Sequence, residues 1–171
     1  METNASMPTL KLLNRMSKEE FTEALGGIFE HSPWIAEAAF GAKPFGSVGE
    51  LHGVMLSAVR NASRETALRL LRAHPDLATQ IQVTPLSAAE QQGAGLDRLT
   101  PEEFAALTDL NRRYTEKFGF PFILAVRGKN KDDILRSISE RIESTPDREY
   151  ERALAEVATI TRFRLGDLVL E

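Results

Sequence analysis

The residues whose types and spacing could do chemistry fall in three stretches: His74-Pro75-Asp76-Leu77, then Ser87-Ala88-Ala89-Glu90-Gln91, then Phe118-Gly119-Phe120-Pro121-Phe122-Ile123-Leu124-Ala125-Val126-Arg127. An imidazole, a hydroxyl, a carboxylate and a guanidinium could together supply a proton donor, an acid that orients it, and a floor for a small anionic ligand. Imidazole has the side-chain pKa nearest neutrality and is the usual proton carrier. Building a helical core requires none of these groups.

Each stretch also has a plainer explanation. A histidine at a helix C-terminus is favoured by the helix dipole and can bond a free carbonyl. Against that, Pro75 fixes the exit of the chain, which suits a side chain held toward a cavity. Ser87 and Glu90 have the spacing of a capping box, yet the same helix start could present N–H groups to an anion. The aromatic run from Phe118 to Phe122 is either a connection crossing the core or a ligand-lining segment. In the second case its extended backbone would offer N–H and C=O groups to a ring with amide edges. Arg127 would then meet a carboxylate; otherwise it ends the apolar run and faces water. His31 reads as a helix-entry residue and His52 lies inside a helix. No histidine pair has the spacing of a zincin, and there is no GxGxxG, P-loop or GxSxG motif. The expectation is a site without metal or cofactor.

The elements that must position these residues are helices. Ser17-Lys18-Glu19-Glu20 is a capping-box pattern before Phe21, Leu25, Ile28 and Phe29. Ser32 is placed as an N-cap with Pro33 at the first helical position. Ser47 and Ser63 open two more helices, and His74-Pro75 ends the second of these. Residues 75–86 read as a loop. Ser87 then caps a short helix stopping at Gly93 or Gly95. Leu99-Thr100-Pro101-Glu102-Glu103-Phe104 is the best-specified start: Thr100 caps, Pro101 follows, Glu103 closes the box and Leu99 staples to Phe104. Phe104, Leu107, Leu110, Tyr114 and Phe118 form its inner face, and Gly119 terminates it. A further helix spans 132–143. Thr145-Pro146 opens the last, a long helix carrying Leu154, Val157, Ile160 and Phe163. Phe120 to Val126 is the one strand-like run. The predicted fold is all-α: a single-domain bundle of about seven or eight helices over residues 10–171, behind a flexible tail at 1–9.

The totals agree with an ordinary globular enzyme. The chain has 171 residues, 42% hydrophobic and 27% charged, enough for one sizeable core. A net charge of −4 gives no basic surface for nucleic acid or acidic lipid. The absence of cysteine excludes a disulfide scaffold, a thiolate zinc site and a cysteine nucleophile, and fits a reducing compartment. No stretch approaches the roughly 20 apolar residues of a membrane span. Met1 to Pro8 lacks a signal-peptide core, and the C-terminus is not a peroxisomal tripeptide. The expectation is a cytoplasmic protein with a small-molecule partner.

Several motifs, in order, resemble the 2-oxo-4-hydroxy-4-carboxy-5-ureidoimidazoline (OHCU) decarboxylases over about residues 14–168. They are Phe21…Leu25-Gly26…Ile28-Phe29-Glu30…Ser32-Pro33-Trp34, His74-Pro75-Asp76-Leu77-Ala78, Ser87…Glu90-Gln91…Ala94-Gly95-Leu96, Leu110-Asn111…Tyr114…Phe118-Gly119-Phe120-Pro121-Phe122, and Arg127. The resemblance implies a cofactor-free, all-helical and usually dimeric lyase, the last enzyme in converting urate to (S)-allantoin. It implies His74 as proton donor. It also implies substrate contacts from Pro75, from Ser87, Ala88, Ala89, Glu90 and Gln91, and from the backbone of Phe122, Ile123, Leu124, Ala125 and Val126, with Arg127 nearby. The stretch between His74 and Ser87 is a few residues shorter than in the family, and the N-terminal tail is longer.

Overall fold

The computed structural model describes residues 7–78 and 84–171. The fold is all-α. Among the described residues there are nine helices, and the only β-pairing is an isolated bridge between Thr9 and Leu170. The helices are α1 (Leu10–Leu13), α2 (Lys18–Leu25), α3 (Trp34–Phe40), α4 (Val48–Asn61), α5 (Arg64–Arg72), α6 (Pro85–Gly93), α7 (Pro101–Phe118), α8 (Lys131–Arg141) and α9 (Pro146–Leu168). They gather into two compact units, one of Met1–Ala67 with Ala158–Glu171, the other of Leu68–Val157.

In the first unit, the capping box at Ser17 and Glu20 forms as expected. Phe21, fully buried behind it, packs against the rings of Phe40 and Phe45 at 5.7 and 6.2 Å. The expected tail covers residues 1–9, of which 1–6 lie outside the described residues. Pro8 and Leu10 are bonded to Leu170, and Thr9 caps α1. Ser47 accepts from the Glu50 N–H and Ser63 from the Thr66 N–H, the expected helix starts. Ser32 is not a cap. Its hydroxyl turns back to the Glu30 carbonyl at 2.8 Å, and α3 begins at Trp34 without a side-chain cap. Two buried polar pairs lie in this unit. Arg164 pairs with Glu30 at 2.8 Å and bonds the Ile28 carbonyl, and His52 Nε2 lies 2.9 Å from Thr161 Oγ1. Burial, with Arg162 nearby, lowers the His52 pKa.

In the second unit, α7 starts as read, with the Thr100–Glu103 box and Pro101 in the first turn. It ends at Gly119, whose φ of 82° is the left-handed geometry that glycine adopts without penalty. Its inner face differs from expectation. Phe104 is 51% exposed, and the buried stripe is Leu107, Asn111 and Tyr114. Along α9, Leu154 and Val157 are buried, whereas Phe163, in the part of α9 that belongs to the first unit, is 36% exposed. Apart from the half-buried Pro121, the run from Phe120 to Val126 is buried, but it makes no strand and is irregular backbone. The rings of Phe118, Phe120 and Phe122 surround Tyr114, at 4.5, 6.1 and 5.4 Å. Asn130, not foreseen as a cap, closes a box with Asp133 and starts α8.

Candidate active site

His74 follows the end of α5 and is buried, 8% exposed. Its Nδ1 lies 2.9 Å from the Leu70 carbonyl, one turn back. A carbonyl only accepts, so this bond puts the proton on Nδ1 and leaves Nε2 as the nitrogen for proton exchange. The chain beyond Pro75 is clamped by two carboxamides. Asn111 of α7 donates from Nδ2 to the Leu77 carbonyl at 3.0 Å, and the Ala78 N–H donates to Gln91 Oε1 of α6 at 2.8 Å. Both carboxamide residues are buried. Ala78 has φ +67°, a conformation that costs a residue with a Cβ about 1–2 kcal/mol. Ala78→Gly should therefore stabilise the protein by about 1 kcal/mol, raising the melting temperature by roughly 2–4 °C. A melt shifted downward would show that the Ala78 methyl packs better than its backbone fits.

Ser87 does not cap α6. The helix begins two residues earlier, with Thr84 as N-cap accepting from the Ser87 N–H at 3.3 Å and Pro85 in its first turn. Threonine followed by proline is the stronger start signal, because proline is preset for the first helical position and its missing N–H leaves no orphan donor. Ser87 is thus inside the helix and buried, and Glu90 is half-buried one turn later. The capping explanation for this pair falls. Ala88 and Ala89 are exposed on the same helix. The helix ends as foreseen: Gly95 takes φ +80°, and the Leu96 N–H returns to the Gln91 carbonyl at 3.0 Å. Residues 79–83 of the expected 75–86 loop lie outside the described residues.

Phe122, Ile123, Leu124, Ala125 and Val126 are all buried, and Arg127 is exposed in the turn that follows. Much of this backbone is held by side chains. The Ala125 N–H donates to Glu156 at 3.1 Å, and the Ala125 carbonyl accepts from Lys129 at 3.0 Å. Arg141 donates to the Ile123 carbonyl at 2.7 Å and to Glu149 at 2.8 Å, with its guanidinium 4.5 Å from the Phe122 ring centre. Tyr114 donates its hydroxyl to the same Glu149 oxygen at 2.6 Å, and burial with this bond pushes its pKa well above the ordinary value. At the start of the run, Arg72 of α5 donates to the Gly119 carbonyl at 2.9 Å.

A groove of about 480 Å³ lies beside the His74 turn, walled by Asp76, Leu77, Phe104, Asn111, Arg112 and Glu116. Burial raises the Asp76 pKa, although part of the residue faces solvent. His74, Glu90 and Arg127 are not among the lining residues of this groove. Among the described residues, no group of three or more His, Asp or Glu side chains could hold a metal ion, and no helix is long and apolar enough to cross a membrane. Sequence reasoning assigns no site role to Arg141 or Glu149, and quotes Asn111 only within a family motif. Asn111 carried a signal: it stands four residues after Leu107 and three before Tyr114, a polar residue on an apolar stripe. Arg141 continues the Ile134–Ile138 stripe in the same way.

The family model described as OHCU decarboxylase matches residues 14–166. The chain is 45% identical over 159 residues to a 2-oxo-4-hydroxy-4-carboxy-5-ureidoimidazoline decarboxylase of Haloferax volcanii, covering 93% of this chain and 95% of that one. It is 35% identical over 161 residues to the protein of the same name from Mus musculus, covering 92% and 90%. It is 45% identical over 165 residues to a uric acid degradation bifunctional protein of Bacillus subtilis, where the match takes 96% of this chain but spans only 33% of that relative's length. Among solved structures, it is similar to a crystal structure of (S)-allantoin synthase with a TM-score of 0.78 and 33% identity, covering 94% of this chain and 54% of that chain. It is also similar to an OHCU decarboxylase in the presence of (S)-allantoin, with a TM-score of 0.69 and 26% identity over 90% and 98% of the two chains. With the family match running through all three chemical stretches, the chain belongs to the OHCU decarboxylase family and is a lyase.

Proposed function

We propose that the protein decarboxylates 2-oxo-4-hydroxy-4-carboxy-5-ureidoimidazoline to (S)-allantoin, without cofactor, in urate breakdown, with His74 as the proton donor. The observation that carries the reading is the buried His74 ring, its Nδ1 proton committed to Leu70, within a stretch matched to the family. The substrate carries a carboxylate and a hydroxyl on one ring carbon, beside a C=N bond. When the C–CO₂ bond breaks, CO₂ departs and the electron pair moves toward that C=N, whose nitrogen takes up a proton from water, leaving an enol. The hydroxyl proton then leaves as the carbonyl forms, and a proton is delivered to one face of the ureido-bearing carbon. The substrate is its own electron sink, so the protein need only hold the ring, polarise the hydroxyl and supply the proton.

In this reading His74 Nε2 polarises the hydroxyl and delivers the proton. Glu90 orients His74 or accepts from the ureido N–H groups. Pro75, the segment from Ser87 to Gln91 and the backbone from Phe122 to Val126 hold the ring, and Arg127 supplies attraction for the negative charge. The proposal extends to a homodimer in the cytoplasm; sedimentation velocity tests the dimer.

The deciding assay couples freshly made 5-hydroxyisourate and its hydrolase to this protein and follows allantoin by circular dichroism. Spontaneous decay gives racemate, so an excess of the (S) product is the expected result, and it should survive exhaustive chelation. Racemic product at the uncatalysed rate would remove the assignment. Activity lost in EDTA and restored by zinc or manganese would remove the cofactor-free mechanism.

A further inference from the structure

Asn111 is an unusual residue for its place. It is 4% exposed on the buried stripe of α7, where an apolar side chain of similar size would pack without a desolvation cost. Its Nδ2 reaches the Leu77 carbonyl, while its Oδ1 is buried and meets no donor among the described residues. A polar group kept at such a position, half satisfied, is poorly explained by stability alone. What it does hold is the turn that carries His74. On one side the imidazole is tied to α5 through Leu70. On the other, the backbone leaves through Pro75, whose ring locks φ, and arrives at Leu77 and Ala78, where both carboxamide clamps act. Only Asp76 separates Pro75 from Leu77, so a shift at Leu77 has a short path back to the His74 backbone. The left-handed Ala78 is further evidence of constraint, since such a conformation persists only where its surroundings over-determine it.

We propose that Asn111 is a positioning residue for His74, acting through the Leu77 carbonyl, with Gln91 on the Ala78 N–H as the second clamp. The inference rests on the reading of His74 as proton donor. Asn111 itself touches no reacting atom in this scheme; it sets the direction in which Nε2 points.

Two variants of the full-length protein test it. Asn111→Leu removes the donor and keeps the branched shape of the side chain. Misplacement of a reacting group by an ångström can cost about 100-fold in rate, so kcat should fall at least roughly 10-fold with KM within about 3-fold. Asn111→Asp changes sign with pH. Ionised, its carboxylate repels the Leu77 carbonyl. Protonated, its O–H can donate to that carbonyl and restore the clamp, and burial will raise the pH at which this happens. The ratio of Asn111→Asp to wild-type kcat should therefore climb several-fold as pH is lowered. Asp76, Arg112 and Glu116 around the same groove, and His74 itself, are present in both proteins, so the ratio removes their own titration. A third readout needs no substrate: imidazole ¹⁵N spectra should show the His74 Nδ1–H tautomer in wild type and a mixture in Asn111→Leu. Wild-type kinetics with an unmoved His74 signal in Asn111→Leu would overturn the proposal, as would a flat pH ratio in Asn111→Asp. If Asn111→Leu does not fold, the Asn111→Asp ratio decides. If wild type fails to turn over the ureidoimidazoline, the functional reading falls, and the imidazole spectra still judge the clamp separately.

Discussion

Replacing His74 by asparagine is expected to lower kcat about 10²–10⁴-fold, the range contributed by a general acid or base, with the fold preserved. Asparagine is the informative choice. Its carboxamide can still donate to the Leu70 carbonyl, so the buried contact that holds the ring can be kept in part. What it cannot do is release a proton near neutral pH. The variant separates the two explanations of this histidine. A helix-terminal histidine that serves only the dipole contributes about 0.3–1 kcal/mol, which appears in a melting curve and leaves turnover alone. A proton donor appears in turnover and barely in the melt. Steady-state rates on folded His74→Asn, with the circular dichroism of the product, decide it; near-normal turnover would strike His74 from the mechanism.

How much of this was legible beforehand varies with the physics of each position. Helix starts built on a side-chain cap could be read directly, because the signal is local: Ser17, Ser47, Ser63 and Thr100 each bond an N–H three residues on. The two misread caps have local causes. At Ser32, the hydroxyl had a competing backbone acceptor two residues back. At Ser87, the capping-box spacing hid the stronger Thr84-Pro85 start. The family motifs carry the identity of the family, since residue types in order need no geometry. The polar groups that support the candidate site were not legible. Gln91 to Ala78, Asn111 to Leu77 and Arg141 to Ile123 join residues 13, 34 and 18 positions apart, and each is a bond to backbone, for which the partner's identity leaves no trace in sequence. Periodicity alone puts Phe104 on the inner face, but a helix stripe ends where its neighbours end, and this residue is exposed and lines a groove.

Those long-range bonds make the second large effect predictable. Arg141→Met should destabilise the protein by about 3–5 kcal/mol, the cost of breaking a buried ion pair from one side. The partners explain why. Arg141 and Glu149 are 7% and 3% exposed and meet at 2.8 Å, and Tyr114 donates to the same carboxylate oxygen. Removing the guanidinium leaves a carboxylate in the core with one hydroxyl donor, and it also frees the Ile123 carbonyl that the arginine held. On a chain of this size, the change corresponds to a melting temperature lower by roughly 6–20 °C. Adding Glu149→Gln should recover part of the loss, because the neutral amide can still accept from Tyr114 without a buried charge. That recovery distinguishes an uncompensated charge from simple loss of packing, which the second substitution would not repair. The consequence reaches the site, because Ile123 belongs to the backbone proposed to hold the substrate ring. Below its melting range, Arg141→Met should therefore bind substrate more weakly, with a raised KM. A single variant that costs under about 1 kcal/mol in urea unfolding would show that this pair, though buried, is not what holds the Phe120–Val126 segment in place.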